Sequence, residues 1–192
     1  MQKFQFGRDL DITPERSWEI FFDVEFNKEL CASLDLEEYT VLECEEDDRT
    51  YHISRRYITK REVPNAIKRM TGATKLGYVT EETWDKKKNS LRWNFIPIMF
   101  DEGVEGTGNI TCEVMPDGRT RRTFKGVVEA DLPIIGDQLE IRMTEVFEES
   151  YEKGIALFKK FIERDKADLA AGKGLRPLTR PGPEDVQEAP ED

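Results

Sequence analysis

The chain has 192 residues and a mass of 22.3 kDa, long enough for one domain with a substantial core and too short for two ordinary ones. A formal net charge of −11 and an isoelectric point near 4.8 repel phosphate backbones and anionic headgroups at long range, which argues against general nucleic-acid binding. Hydrophobic residues make up 38% and charged residues 36%, yet eleven Phe, five Tyr and three Trp supply enough bulk to fill an interior.

Phe4, Phe6, Leu10 and Ile12 alternate with Lys3, Gln5, Asp9 and Asp11, the period-2 pattern of a half-buried first strand. Thr13 offers an N-cap and Pro14 suits a first helical turn, while Trp18, Phe21 and Phe22 share one helical face. Phe26, Leu30 and Leu34 continue a helical spacing, which predicts a pair of short helices with a break near Glu25. From residue 39 to 132, strands follow one another between turns such as Glu46-Asp47-Asp48, Lys88-Asn89-Ser90 and Pro116-Asp117-Gly118. Six strands fit, at 39–45, 50–59, 76–84, 91–97, 106–115 and 120–132, and their short connections require antiparallel pairing in a sheet of seven. Residues 137–172 carry apolar side chains at 139, 143, 146, 147, 151, 155, 158, 161 and 162, which predicts one long amphipathic helix. Gly154 inside it marks a kink or a close approach to a cavity or strand, or is simply tolerated at about 1 kcal/mol relative to Ala. The segment 171–192 is rich in Pro, Gly and acid with little to bury, and is expected to be a disordered tail to a 1–170 domain.

Cys31, Cys44 and Cys112 lie far apart and form no C-x-x-C pair, which speaks against a disulfide framework or zinc knuckle and fits a reducing compartment. The N-terminal MQKFQFGRDLDI holds no apolar core of signal-peptide length, and no stretch approaches the roughly 20 apolar residues that span a bilayer. A cytoplasmic protein is expected.

Strand, two short helices, six-stranded meander and long C-terminal helix make an α+β arrangement that resembles the START-like (SRPBCC, helix-grip, Bet v 1-like) superfamily over about residues 3–165. ITPERSWEIFFDVEFNKEL is similar to its first strand-to-helix segment, and VVEADLPIIGDQLEIRMTEVFEESYEKG to its last strand and the start of its gripping helix. The LPIIGDQLE step resembles an uncharacterised bacterial branch of that superfamily. What the resemblance implies is a curved sheet closed on the long helix around an apolar cavity, a site used for sterols, phospholipids, polyketides or other apolar small molecules. It carries over no catalytic group.

Strand parity names candidate cavity residues. Leu91, Trp93 and Phe95 oppose Arg92 and Asn94; Ile110, Cys112 and Val114 oppose Thr111 and Glu113; Phe124 and Val128 oppose Lys125 and Glu129. Tyr78 shares a face with Trp84, and Tyr51 with Ile53 and Tyr57. The same parity puts three charges on apolar faces: Arg8 beside Phe6 and Leu10, Arg55 between Ile53 and Tyr57, and Glu82 between Thr80 and Trp84. A buried charge needs a partner, so either Arg55, Arg8 or both receive a polar group of an otherwise apolar ligand, or an internal arginine pairs with Glu82. Two loops are candidate gates. Residues 62–75 combine Lys68, Arg69 and Lys75 with Val63, Ile67 and Met70, fitting a transient membrane contact or ordinary packing over the cavity end; 97–108 present Ile98, Met99 and Phe100 as a lid, a partner contact or part of the core.

His52, the only histidine, falls on the parity opposite Tyr51 and Ile53, so a Ser-His-Asp or Cys-His site has little support. One histidine with scattered cysteines does not make a zinc site, and GVEGTG precedes a strand rather than opening a helix, unlike a phosphate loop. No metal, cofactor or catalytic residue is expected. Three functions stay open: binding or transport of a hydrophobic small molecule or lipid; a protein-interaction module; and a polyketide cyclase or aromatase-like enzyme using Arg55, Tyr57, Tyr78 or Glu82 for proton transfer. The oligomeric state is not fixed by the sequence.

Overall fold

The alternation of the first ten residues forms β1 (Gln2–Leu10) in the computed structural model, which describes residues 1–188 apart from 38, 64, 101 and 102. The Thr13 side chain accepts from Arg16 N at 3.2 Å and Pro14 occupies the first turn, starting α1 (Pro14–Phe22) as the capping chemistry requires. The break between helices falls at Asp23, two residues before the expected Glu25. Asp23 ends α1 through its own N–H and caps α2 (Val24–Ser33) by accepting from Phe26 N at 2.9 Å.

Six strands follow: β2 (Thr40–Glu46), β3 (Thr50–Ile58), β4 (Gly77–Asp85), β5 (Ser90–Pro97), β6 (Val104–Val114) and β7 (Thr120–Ala130). Between β3 and β4 the chain adds α3 (Asn65–Thr71), where the sequence suggested only a loop. All neighbours pair antiparallel in the order β1-β7-β6-β5-β4-β3-β2. β1 and β2 thus hold opposite edges, and α1 with α2 carries the chain across the sheet between them. At the centre, the Trp93 indole lies against β6 and β7 where they carry glycine. A Cβ on Gly126 would come within 2.5 Å of a Trp93 ring carbon, so only a bare backbone allows this approach.

Helix α4 (Gly136–Ala170), 35 residues or about 52 Å long, lies along β1 and β7 and closes the concave side. Phe26 of α2 meets it at Phe158 and Phe161, with ring centroids 4.8 and 5.5 Å apart. This is the helix-grip fold.

Up to residue 188, the segment expected from its composition to be a disordered tail makes contacts with the domain. It runs back over α2 and the β2 edge, with Val24 N donating to Thr179 O at 2.8 Å and Gln187 N to Val41 O at 2.8 Å. Thr179 N donates to Asp23, the Tyr51 hydroxyl to Pro181 O at 2.9 Å, and Arg176 pairs with Glu25 at 2.7 Å. At the end of α4, Arg16 grips both Asp165 oxygens at 2.8 Å and also donates to Arg176 O. Polar contacts of this kind leave no hydrophobic periodicity, so composition alone does not reveal them.

Candidate ligand-binding cavity

Between the concave sheet face and α4 the side chains leave a cavity of about 430 Å³. An aromatic ladder forms one wall: Tyr57 stacks on Tyr78 at 5.0 Å, Tyr78 on Phe95 at 4.6 Å, and Phe95 meets Phe147 of α4 edge-on at 5.1 Å. Trp93 and Phe124, 5.2 Å apart, make the floor. Along α4 the wall passes from Leu139 through Met143 and Phe147 to Ile155 and Phe158. Gly154 lines the same wall, is buried, and has open space where a side chain would begin, with no atom within 4 Å of a Cβ placed there. It therefore widens the cavity rather than admitting a strand.

Burial grades from one end to the other. Leu76, Met99, Phe100, Arg61 and Val146 are half-buried or exposed, whereas Leu91, Ile155 and Phe158 are fully enclosed. The first group marks the mouth, placing Met99 and Phe100 of the expected lid on the cavity rim. Residues 101 and 102 of that loop, and the Ile67 and Met70 side chains of the 62–75 patch, lie outside what the structure describes; Lys68 and Arg69 of α3 are exposed.

Charge inside the cavity is largely neutralised. Arg55, almost completely buried, donates to Asn27 Oδ1 at 2.8 Å and to Glu82 Oε2 at 2.5 Å, and faces the Tyr39 and Tyr57 rings. Burial opposes its charge, but Glu82 and the neighbouring tyrosine rings outweigh that effect and hold the guanidinium more firmly protonated than in water. Burial also raises the Tyr57 and Tyr78 phenols above their ordinary value and pushes Tyr151 up to about 12, so all three act as neutral hydroxyls.

Seven of the eleven residues expected to bind ligand line this cavity: Arg55, Tyr57, Tyr78, Glu82, Trp93, Phe95 and Phe124. Four do not. Tyr51 and Trp84 have the inward parity but sit where Trp18 and Phe22 of α1 cover the sheet, with the Phe22–Tyr51 and Trp18–Trp84 centroids 4.8 and 5.6 Å apart. Cys112 is likewise buried, its thiol 3.6 Å from Ser17 Oγ of α1. Arg8, at the edge of the sheet, turns outward to Glu152 of α4 with its side chain 49% exposed. The internal Arg55–Glu82 pair is formed, and Arg8 is not buried. Val114, assigned inward, is 68% exposed at its strand end. His52 is half-buried, with Nδ1 3.0 Å from Thr83 Oγ1. Among the described residues, no group of three or more His, Cys, Asp or Glu side chains is placed to hold a metal.

Polar wall residues that escaped the sequence reading include Asn27, which anchors Arg55, and Arg122. Arg122 lies two residues before Phe124 on the same strand, so the parity that selected Phe124 selects it too.

A curved antiparallel sheet closed by a long C-terminal helix over an apolar cavity is the START-like, or SRPBCC, helix-grip fold. Within that class the chain belongs to the family described as "Protein of unknown function (DUF2505)", whose sequence profile matches residues 5–162. No curated protein matches it in sequence. Among solved structures, TTHA0849 from Thermus thermophilus is 18% identical with a TM-score of 0.57, the match covering 83% of this chain and 95% of that one. The Zhui aromatase/cyclase from Streptomyces sp. R1128 is 12% identical with a TM-score of 0.61, covering 91% and 99%. Ara h 8.0201 is 11% identical with a TM-score of 0.56, covering 83% and 96%. At these identities the likeness is one of fold.

Proposed function

We propose that this protein binds a hydrophobic small molecule or lipid in the cavity between its sheet and α4. The observation that carries this reading is the unfilled space of about 430 Å³ behind an almost wholly aromatic and aliphatic wall. Protein interiors pack with few voids larger than a water molecule, and pockets of roughly 300–1,000 Å³ with a few placed polar groups are those that take small ligands. An interaction module without a ligand has no use for such a space. Proton-transfer chemistry is also less well served, because Arg55 and Glu82 neutralise one another and the phenols beside them stay protonated.

We place ligand binding in the cytoplasm, where Cys31, Cys44 and Cys112, all buried thiols, stay reduced. During loading, Lys68 and Arg69 of α3 with Lys75 supply a basic patch for brief contact with an anionic membrane. Native mass spectrometry of the purified chain, before and after solvent extraction, tests the central claim together with titration of the neutral dye Nile red. A bound apolar molecule at one per chain, or saturable dye binding displaced by lipid, is expected. An interior that takes up neither refutes it.

A further inference from the structure

Of the buried arginines Arg16, Arg55 and Arg122, two sit on a carboxylate. Arg16 holds Asp165 and Arg55 holds Glu82. Arg122, 2% exposed on β7, makes no ion pair among the described residues. Its guanidinium is surrounded by rings instead, with the centroids of Trp18, Phe21 and Phe158 at 4.7, 4.6 and 5.1 Å. Nη1 donates to Ser17 Oγ and Cys112 Sγ, both at 3.3 Å, and to no carboxylate. Nε and Nη2 find no acceptor among the described residues. Arg122 nevertheless lines the cavity, at its enclosed end beside Phe124, Tyr151 and Phe158.

A guanidinium keeps its charge in proteins, and aromatic faces compensate only part of what a buried cation loses on leaving water. Such a group is complementary to an anion that arrives without its own counter-ion. Resting on the reading that the cavity binds a ligand, we propose that the ligand is an amphiphile carrying one carboxylate, inserted head first so that Arg122 receives the carboxylate while the apolar body lies along α4 toward the mouth. The free Nε and Nη2 form one edge of the guanidinium fork, which matches the two oxygens of a carboxylate. A phosphate would bring a further oxygen and more charge than this single arginine can meet between Phe124 and Phe158. The length also fits: Phe158 stands nineteen residues along the helix from Leu139, a rise of about 28 Å.

The test is displacement of Nile red from the full chain by a matched set: dodecanoate, dodecanol and dodecyl phosphate. Dodecanoate should bind roughly tenfold or more tightly than dodecanol, the range expected of a charge-assisted hydrogen-bonded pair in place of a neutral one. Arg122→Met, close in volume, should erase that preference, and Arg122→Lys should restore part of it. Equal affinity of wild type for dodecanoate and dodecanol, or a preference that survives in R122M, overturns the inference while leaving the cavity reading intact; tighter binding of dodecyl phosphate overturns the carboxylate assignment. Displacement by none of the three, with Nile red bound saturably, overturns the inference alone, and absence of saturable dye binding overturns both. The wild-type comparison decides even if R122M does not fold.

Discussion

Gly154 gives a test in which filling the cavity and stabilising the fold go together. It lies in the middle of α4, is buried, and faces space with no atom within 4 Å of an added Cβ. Gly154→Ala removes a helix-interior glycine worth about 1 kcal/mol and creates no clash, so the melting temperature should rise by about 2–4 °C in a domain of this size. Gly154→Leu projects further into the cavity. Each added methylene that replaces void is worth up to about 0.8 kcal/mol, less what its rotamer loses, so this variant should also be at least as stable as wild type. Dye and lipid binding, by contrast, should fall by roughly tenfold or more, since the new side chain occupies ligand volume. Thermal and urea unfolding, run beside Nile red titration, read both effects. Overpacking a filled core typically destabilises by about 1–3 kcal/mol. If G154L loses stability on that scale, the space beside α4 does not exist and the ligand proposal falls with it.

Burial raises all five tyrosines, Tyr39, Tyr51, Tyr57, Tyr78 and Tyr151, above the ordinary value near 10. The stability they contribute is therefore fully present below pH 10 and is lost as pH rises beyond it, through about 12 for Tyr151. Tyrosinate absorbance should stay flat to about pH 10 and then rise together with loss of circular dichroism; a tyrosine titrating normally in the folded protein would contradict this. Truncation after Gly172 removes the Pro181 carbonyl from the buried Tyr51 hydroxyl, a loss of about 1–3 kcal/mol in addition to the Thr179 and Gln187 backbone bonds. Urea unfolding should show that loss, and limited proteolysis of the intact chain should spare 173–188; unchanged stability with rapid trimming would reinstate a disordered tail. Lys68→Glu with Arg69→Glu should reduce cosedimentation with phosphatidylserine vesicles, each charge contributing about 1 kcal/mol near such a surface. Equal sedimentation of the double variant would remove α3 from the membrane proposal.

The sheet was legible because strands and turns leave strong local signals. Asn89 and Gly118 adopt φ of 49° and 84° in the turns where Lys88-Asn89-Ser90 and Pro116-Asp117-Gly118 predict them, and the alternation on β5 reads directly as burial. α3 was not legible, since NAIKRMT is only seven residues long and isolated helices of that length are unstable without tertiary contacts. The docked terminal segment was missed for a different reason. It is held by polar contacts to Asp23, Glu46 and Tyr51, partners that become neighbours only after the domain has folded.

The site divides along the same line. Parity states which face a side chain takes but not what lies above it, and α1 covers only part of the concave face. Tyr51, Trp84 and Cys112 fall under Trp18, Phe22 and Ser17, whereas Tyr57, Tyr78 and Phe95 fall beside the cavity. Buried charge follows the same logic in sharper form. Arg55 and Arg122 look alike on their strands, one between Ile53 and Tyr57, the other two residues from Phe124. Their difference lies in what neighbouring elements bring: β4 delivers Glu82 and α2 delivers Asn27 to Arg55, while α1, α4 and β6 deliver rings, a hydroxyl and a thiol to Arg122. A protein selected for stability alone would gain by replacing such an unpaired cation with an apolar residue of similar volume. Its presence at the closed end of an apolar cavity is therefore most economically explained by what enters from the other end.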